Sequence, residues 1–295
     1  MVRQTEHSDG VGVEAGRTVA CVSYLNAKPL IDDARGRFDD TADGGAVRVV
    51  VDVPAAIPGY VQRGEAAMGL VPVADLLRDG AGLEAWPVGG IACDGPTLTV
   101  RLFCRCEREA VRSIAADGDS HTSVVLASLL VGRWTGELPR VERVSWSGVG
   151  QGEASEPTVD ALLLIGDKVV KAAPPRWMYP HQVDLGAAWR EWTGLPFVFA
   201  AWAGRVGASL EGLAERLAAV RRDNVDRREA LALTHAAGHG WPAELAVEYL
   251  TRVLRYELGE RELAGLARFA AEAASAGLVD LGEAPMRSLE GSGVR

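Results

Sequence analysis

The sequence predicts an α/β protein built of two lobes. Short apolar runs alternate with helical segments in two blocks, residues 17–95 and 97–200, and such alternation is typical of α/β folds with mainly parallel sheets. Residues 210–278 are helical in pattern throughout and rich in Ala, Leu, Glu and Arg. Helices of this kind must bury an apolar face against another element. We therefore expect the C-terminal helices to pack on the first lobe.

The boundaries of the lobes are set by the two points where the chain crosses from one block to the other. Turn-like residues at Gly95–Thr99 and Phe199–Gly204 mark the two expected crossovers. Ligands of such proteins bind in the cleft between the lobes, where strands end and helices begin. The resulting division is a flexible tail at 1–16, lobe I at 17–96 plus 203–295, and lobe II at 97–202.

The first block is predicted to contain three strands, each followed by a short helix. The runs predicted as strands are Val19–Val22, Val47–Val53 and Met68–Val73. Of these, Val47–Val53 is a continuous β-branched run, which is typical of a strand buried in a parallel sheet. The helical segments begin at Pro29, at Ile57 and at Val73.

The second block has one convincing helix, Ser120–Trp134, which Ser120 or Thr122 can cap. Ser113–Ala115 is a weaker apolar segment, and residues 147–157 read as a Gly/Ser/Glu loop. The predicted strands are Leu98–Phe103, Val141–Trp146, Val159–Ile165 and Leu195–Trp202.

Composition excludes several classes of function. The chain has 295 residues, 48% hydrophobic and 24% charged, with a formal net charge of −9. An acidic chain without a dense Lys/Arg run is a poor candidate for binding nucleic acid. It has no apolar stretch of about 18 residues for a membrane span and no apolar segment of a signal peptide near the N-terminus. We therefore expect a cytoplasmic protein without nucleic-acid or membrane partners; a homodimer is one candidate assembly.

Neither a metal centre nor a cofactor is expected. Cys104 and Cys106 form C-x-C without a second pair at zinc-site spacing, and the chain has only five histidines. The Gly-rich phosphate loops, the G-x-S-x-G turn and the H-E-x-x-H helix are also missing from the sequence.

Polar residues follow the first predicted strand, where a cleft would lie. Ser23, Tyr24 and Asn26 form this turn, and the amide of Asn26 can donate and accept hydrogen bonds at once. A second group, Ser120–Ser123, precedes the convincing helix, and hydroxyls with free N–H groups at a helix N-terminus can bind an anion. From local sequence alone, a turn or helix cap is the better explanation of Asn26, whereas capping and anion binding explain Ser120–Ser123 equally well.

Two further turns carry candidate groups. Thr97 and Thr99 follow the Gly95-Pro96 turn and can face the cleft. Gly166 and Asp167 end a buried strand, where the carboxylate can cap the next helix or face a ligand. His121 alone is more typical of a solvent-exposed or capping histidine than of a base.

These segments together resemble the chorismate dehydratase family of the futalosine pathway of menaquinone biosynthesis. The resemblance covers about residues 19–280, and its longest stretch is DLGAAWREWTGLPFVFAAW at 184–202. The other matching stretches are SYLNAKPL (23–30), CDGPTLTV (93–100), SHTSVVLASLL (120–130), ALLLIGD (161–167) and YLTRVLRYELGERELAGLARFA (249–270).

The resemblance implies a two-lobed fold like that of periplasmic binding proteins (type II), with the active site between the lobes. It implies a lyase that converts chorismate to 3-(1-carboxyvinyloxy)benzoate and water without a cofactor. It places the catalytic Asn and hydroxyl on Asn26 and Thr99, and substrate binding on the groups described above. Those binding residues are Ser23, Tyr24, Thr97, Ser120, His121, Thr122, Ser123, Gly166 and Asp167.

Two positions depart from the family pattern. Thr99 stands where the family has serine, which keeps the hydroxyl but adds a methyl group. His121 replaces an arginine, so a permanent charge and a bidentate donor are lost. The base stays open between Asp167 and a carboxylate of the substrate. Two other functions are compatible with this fold and size: 1,4-dihydroxy-6-naphthoate synthesis in the same pathway, and ligand binding without catalysis.

Overall fold

The computed structural model describes residues 17–33, 35–39, 45–144 and 159–281. The predicted tail at 1–16, the predicted loop at 147–157 and the end of the chain from 282 lie outside them. Two separate sheets form the framework, and helices pack against both. The eleven strands of the described residues are β1 Thr18–Val22, β2 Arg48–Asp52, β3 Met68–Pro72, β4 Leu83–Cys93, β5 Val100–Cys104, β6 Ser113–Asp117, β7 Arg140–Val144, β8 Ala161–Ile165, β9 His181–Asp184, β10 Phe197–Arg205 and β11 Leu254–Arg255.

Ten α-helices are found in the described residues, and most are short. A π-helical segment, Tyr249–Val253, follows the ninth. The α-helices are α1 Lys28–Ile31, α2 Ile57–Gln62, α3 Val73–Leu76, α4 Thr122–Thr135, α5 Asp167–Lys171, α6 Leu185–Thr193, α7 Glu211–Asn224, α8 Arg228–His239, α9 Ala243–Glu248 and α10 Glu260–Ser275. The 3₁₀ turns are Leu25–Ala27, Pro54–Ala56, Arg108–Ala110 and Val225–Arg227.

The strand order shows that the second lobe is inserted into the first. The first sheet has the order β11-β4-β10-β3-β1-β2 and so draws strands from both ends of the chain. The second sheet, β7-β6-β8-β5-β9, uses only the middle of the chain. Two crossovers therefore connect the lobes, as the sequence predicts.

Both sheets are mixed, which corrects the prediction of mainly parallel sheets. In the first sheet β1 pairs parallel with β2 and β3, whereas β10 runs antiparallel to both β3 and β4. In the second, β6 pairs parallel with β7 and β8, but β5 is antiparallel to β8 and β9. The crossovers cause this, because strands that enter a lobe from the other lobe run against those already present.

The β10 strand also moves a predicted boundary. Phe197–Arg205 pairs with β3 and β4 of the first sheet, so residues 197–202 lie in the first sheet and not in lobe II. The return crossover accordingly runs through residues 194–196, before the predicted position at Phe199–Gly204. The run is strongly apolar, and local sequence does not reveal which sheet such a strand joins.

Burial differs from prediction at β2. This strand is parallel to β1, but it lies at the edge of the sheet and is only partly covered. Val51 is 53% exposed. By contrast β1, β3 and β8 are buried along their whole length. A β-branched run indicates that a segment forms a strand, but whether that strand is buried depends on which elements pack against it in the fold.

The C-terminal helices pack on the first sheet, and the last of them, α10, also contacts helices of the second lobe. Four α-helices occupy the stretch where about three are predicted, because the chain is further broken near Trp241 and Tyr249. Phe269 of α10 packs edge-on against Trp189 and Phe197, with ring centroids 6.2 and 5.0 Å apart. Phe199, 4.7 Å from Phe197, extends this aromatic cluster towards the space between the lobes. Among the described residues, no helix is both long and apolar enough to cross a membrane.

Candidate functional site

A cavity lies between the lobes, where small-molecule sites commonly form. Eight of the residues predicted for the site line it: Tyr24, Asn26, Thr99, Ser120, His121, Thr122, Ser123 and Gly166. The remaining lining is apolar and consists of Val22, Pro54, Leu70, Pro72, Ile91, Val100, Ile165, Phe199 and Ala200. The site is thus a largely apolar pocket with a few convergent polar groups.

The turn after β1 places two polar atoms in this cavity without protein partners. Tyr24 OH and Asn26 Oδ1 are buried, and neither finds a hydrogen-bond partner among the described residues. Leaving a buried polar atom unpaired costs about 1–3 kcal/mol. Burial, and then the charges of Asp117, Asp119 and Asp167, raise the pKa of Tyr24, so its hydroxyl stays protonated and able to donate. Both atoms are placed to bind a polar ligand.

Thr99 is positioned by an unusual turn at the crossover into β5. Leu98 has φ of +62°, a conformation that is rare outside glycine. Asp184 holds the turn, because its carboxylate accepts the N–H of Leu98 at 2.8 Å and the N–H of Thr97 at 2.9 Å. The same carboxylate caps α6 through the N–H of Ala187. This anchoring directs Thr99 into the cavity.

The hydroxyl of Thr99 lies 2.6 Å from the hydroxyl of Tyr249, a residue that sequence reasoning missed. Tyr249 is 1% exposed and stacks on Trp241 with ring centroids 4.8 Å apart. Burial raises the pKa of Tyr249, although hydrogen bonds with Thr99 and Asn26 oppose the rise. Tyr249 therefore connects the two residues predicted to be catalytic.

The hydroxyl groups of Ser120 and Thr122 at the N-terminus of α4 are already hydrogen-bonded within the protein. Ser120 lies one residue before His121, the N-cap position of the helix, and its Oγ accepts the N–H of Ser123 at 3.3 Å. Thr122 Oγ1 accepts the N–H of Ala74 and donates to the carbonyl of Phe199, both at 3.2 Å. The Thr122 hydroxyl thus joins the two lobes beside the cavity.

His121 is paired with a carboxylate from the opposite lobe. Its Nδ1 lies 2.8 Å from both oxygens of Asp75, which belongs to α3 and is 6% exposed. Asp75 also lies 3.5 Å from the guanidinium of Arg78. The sequence did not single out Asp75.

Gly166 lies in contact with Tyr24 at the opposite side of the cavity. A Cβ at Gly166 would lie 2.8 Å from two carbons of the Tyr24 ring. Its φ of +59° with ψ of −145° is a backbone region that is essentially restricted to glycine. The glycine therefore lets the β8–α5 turn approach the aromatic ring.

Three predicted residues lie outside the cavity lining. Ser23 is exposed. Thr97 is 1% exposed, with its N–H held by Asp184, so it supports the turn that carries Thr99. Asp167 is buried outside the lining.

The carboxylate of Asp167 is occupied by groups of the other lobe. It accepts from the indole N–H of Trp241 at 2.9 Å and from the N–H of Leu25 at 3.4 Å, and it lies 2.8 Å from Nδ1 of His239. These bonds hold the lobes together behind the site. The Asp167 carboxylate thus already has three partners within the protein.

A second ion cluster balances charge near the cavity. Lys168 Nζ lies 2.8 Å from Asp117 and 2.6 Å from Asp119. Burial lowers the pKa of Lys168, but these bonds outweigh it and the net shift is upward. Within the described ranges, no group of three or more His, Cys, Asp or Glu side chains is placed to hold a metal ion.

Comparison with known proteins identifies the family. Residues 17–275 match the family model described as menaquinone biosynthesis. A chorismate dehydratase of Thermus thermophilus is 31% identical over 238 residues, which cover 76% of this chain and 85% of that protein. The chain belongs to the menaquinone biosynthesis family. The resemblance noted in the sequence is thereby confirmed.

Solved structures confirm the fold class. A protein of Archaeoglobus fulgidus superposes with a TM-score of 0.65 at 17% identity, over 89% of this chain and 98% of that one. A Candida albicans protein described as having the generic periplasmic binding protein fold gives 0.62 at 9% identity, over 90% and 91%. At such identities the likeness shows the two-lobed fold alone.

Asp75 and Tyr249 are the functional candidates that sequence reasoning missed in this family member. Tyr249 stands in the stretch that resembles the family's helical tail, but a helical pattern gives no sign that its hydroxyl reaches the site. Asp75 stands in a short apolar helix, where a lone carboxylate reads as solvated. Its burial at 6% exposure is the signal, and only the structure shows it.

Proposed function

We propose that this protein is a chorismate dehydratase, a lyase that converts chorismate to 3-(1-carboxyvinyloxy)benzoate and water. Family membership and the named Thermus thermophilus relative support the assignment. The observation that carries it to this chain is the pair of unpartnered buried atoms, Asn26 Oδ1 and Tyr24 OH, in the largely apolar cavity between the lobes. Such a pocket suits a six-membered ring that carries a few polar groups.

The reaction removes a hydroxyl from one ring carbon and a hydrogen from the neighbouring carbon that bears the ether. A base takes the hydrogen as a proton, and the electrons of the broken C–H bond form a ring double bond. The C–O bond of the hydroxyl then breaks with its electron pair, and the departing oxygen receives the proton and leaves as water. The ring becomes aromatic, so the overall reaction is strongly downhill.

Asn26 and Thr99 bind the departing hydroxyl. Both line the cavity, and Tyr249 holds the Thr99 hydroxyl 2.6 Å from its own. Groups fixed before the reaction stabilise developing charge without further reorganisation. Because Asp167 is engaged with Trp241 and His239 outside the lining, it does not serve as the base. A carboxylate of the substrate itself takes the proton.

The N-terminus of α4 receives a carboxylate of the substrate. Ser120 and Ser123 line the cavity at the end of a fourteen-residue helix, whose dipole favours an anion there. Thr122 contributes by bracing the lobes, because its hydroxyl already bonds to Ala74 and Phe199. Closure of the lobes over the substrate excludes water and orients the reacting bonds.

Turnover of chorismate by the purified protein, with and without Asn26, tests the proposal. The wild type should consume the diene absorbance of chorismate and release the benzoate, identified by mass spectrometry. Asn26→Ala should lower kcat by about a hundredfold, as loss of a single donor to a developing charge does elsewhere, with little change in KM. Saturable binding of chorismate without product would instead identify a binding protein.

A further inference from the structure

In the hydrogen bond between His121 and Asp75, the histidine is the donor and the carboxylate is the acceptor. An ionised carboxylate only accepts hydrogen bonds, so Nδ1 of His121, 2.8 Å from both oxygens of Asp75, carries a proton. The other ring nitrogen, Nε2, is left for a different partner. His121 lines the cavity whereas Asp75 does not, which places Asp75 behind the ring and leaves Nε2 for a ligand.

Charge gives this nitrogen a role. No Lys or Arg side chain is among the described residues that line the cavity, so His121 is the one lining group there that can become a cation. The chain as a whole has a formal net charge of −9. A dianionic substrate therefore needs local compensation, and the Asp75 carboxylate lies 2.8 Å from the His121 ring, close enough to offset the positive charge of an imidazolium.

The groups packed around His121 do not oppose this. Arg78, 3.5 Å from Asp75, is 51% exposed and so partly screened by solvent. The two carboxylates that precede His121 in the chain are both bound by Lys168. Among the described residues, the charged or titratable groups near His121 are Asp75 on α3 and Arg78 just after it, Asp117, Asp119 and Lys168 beside the preceding loop, and Tyr24 across the cavity.

We propose that Asp75 is a positioning residue that holds His121 as an imidazolium, whose Nε2–H binds a carboxylate of the substrate. This inference rests on the proposed function and adds a residue and a charge state to it. Because Asp75 belongs to the first lobe and His121 to the second, the pair is complete only when the lobes are closed. Substrate binding and lobe closure thereby stabilise each other.

The opposite role for the same geometry is that of a base. A neutral His121 with Nδ1–H on Asp75 would present an Nε2 lone pair to the substrate, as in a catalytic His–carboxylate pair. The two roles predict opposite responses to pH. An imidazolium that binds substrate is lost as pH rises, so KM increases; a base is lost as pH falls, so kcat decreases.

The experiment measures kcat and KM for chorismate between about pH 5.5 and 8.5, the range in which histidines usually titrate. In the wild type, KM should rise about ten- to a hundredfold across the range, which matches loss of a charged hydrogen bond. His121→Arg keeps a permanent cation and should make KM independent of pH. Asp75→Asn should raise KM at neutral pH and move its increase to lower pH, with the fold verified by circular dichroism.

A matched control is His235, whose Nε2 lies 2.9 Å from a carboxylate oxygen of Asp32. Neither residue of this pair lines the cavity. His235→Asn should leave the pH profile of KM unchanged. A wild-type KM that does not vary with pH, or a kcat that falls on acidification and is abolished in His121→Arg, would overturn the inference and leave the proposed function standing. Failure of the wild type to convert chorismate would overturn both.

Discussion

Replacing Tyr249 by phenylalanine removes the hydroxyl that bonds to Thr99 and leaves the aromatic ring in place. The hydroxyl of Tyr249 lies 2.6 Å from Thr99 Oγ1, and the other bond of the Thr99 hydroxyl among the described residues, to the carbonyl of Thr97, is long at 3.4 Å. Asn26 also loses its bond to this hydroxyl. The two groups that bind the departing hydroxyl would both become freer to rotate.

The size of the effect follows from the single hydrogen bond. A neutral hydrogen bond contributes about 1 kcal/mol, and up to about 3 kcal/mol when its buried partner stays unpaired. At 1.36 kcal/mol per factor of ten, kcat should fall about 5- to 160-fold while KM changes little. Phenylalanine keeps the stack on Trp241 at 4.8 Å, so the free energy of unfolding should fall by about 1 kcal/mol.

Tyr256 provides a matched control. It is 4% exposed, and its hydroxyl has no hydrogen-bond partner among the described residues. Tyr256→Phe should therefore leave kcat unchanged and unfolding unchanged or slightly more difficult, as measured by steady-state kinetics and urea denaturation. Equal kcat values in Tyr249→Phe and wild type, or a loss confined to KM, would refute the positioning role of Tyr249.

Two further predictions concern stability. Gly166→Ala places a side chain in a restricted backbone conformation and 2.8 Å from the Tyr24 ring, so it should lower the free energy of unfolding by about 2–5 kcal/mol. The control is Gly136→Ala, at φ of +82° but with open space around the Cβ, which should lower it by about 1 kcal/mol. Urea denaturation measures both. Burial raises the pKa of Asp160, but bonds from neighbouring N–H groups and the Ser113 hydroxyl outweigh it, and the net shift is downward. The Asp160 carboxyl thus binds a proton more weakly in the folded state than in the unfolded state. Its stabilisation is present above the unfolded pKa and is lost as pH falls through the folded pKa. Asp160→Asn should therefore make the free energy of unfolding less dependent on pH in acid, and an unchanged dependence would contradict this role.

The strands that the sequence predicts are those with compact apolar runs, such as β3 and β8. The longest strand, Leu83–Cys93, has the sequence LEAWPVGGIAC and was not predicted. Pro87, Gly89 and Gly90 break the usual pattern, and the chain tolerates them because β10 and β11 flank it on both sides. Antiparallel pairing across the crossovers is likewise a property of the whole fold, so no local pattern indicates it.

The site divides in the same way. Turns that follow strands, such as the one that carries Asn26, are visible in the sequence, and eight of the predicted residues line the cavity. Tyr249 is 150 residues from Thr99 in the chain, and Asp75 is 46 residues from His121. Contacts over such separations arise only when the lobes and C-terminal helices pack. The partners of Asp167, which lie in the other lobe, are hidden from the sequence for the same reason.

The central claim is that the cavity between the lobes dehydrates chorismate. The most direct measurement incubates the purified wild-type protein with chorismate and follows the products by absorbance and mass spectrometry. The wild type should turn chorismate over to 3-(1-carboxyvinyloxy)benzoate, with one benzoate formed for each chorismate consumed. Unchanged chorismate, whether bound to the protein or free, would contradict the central claim.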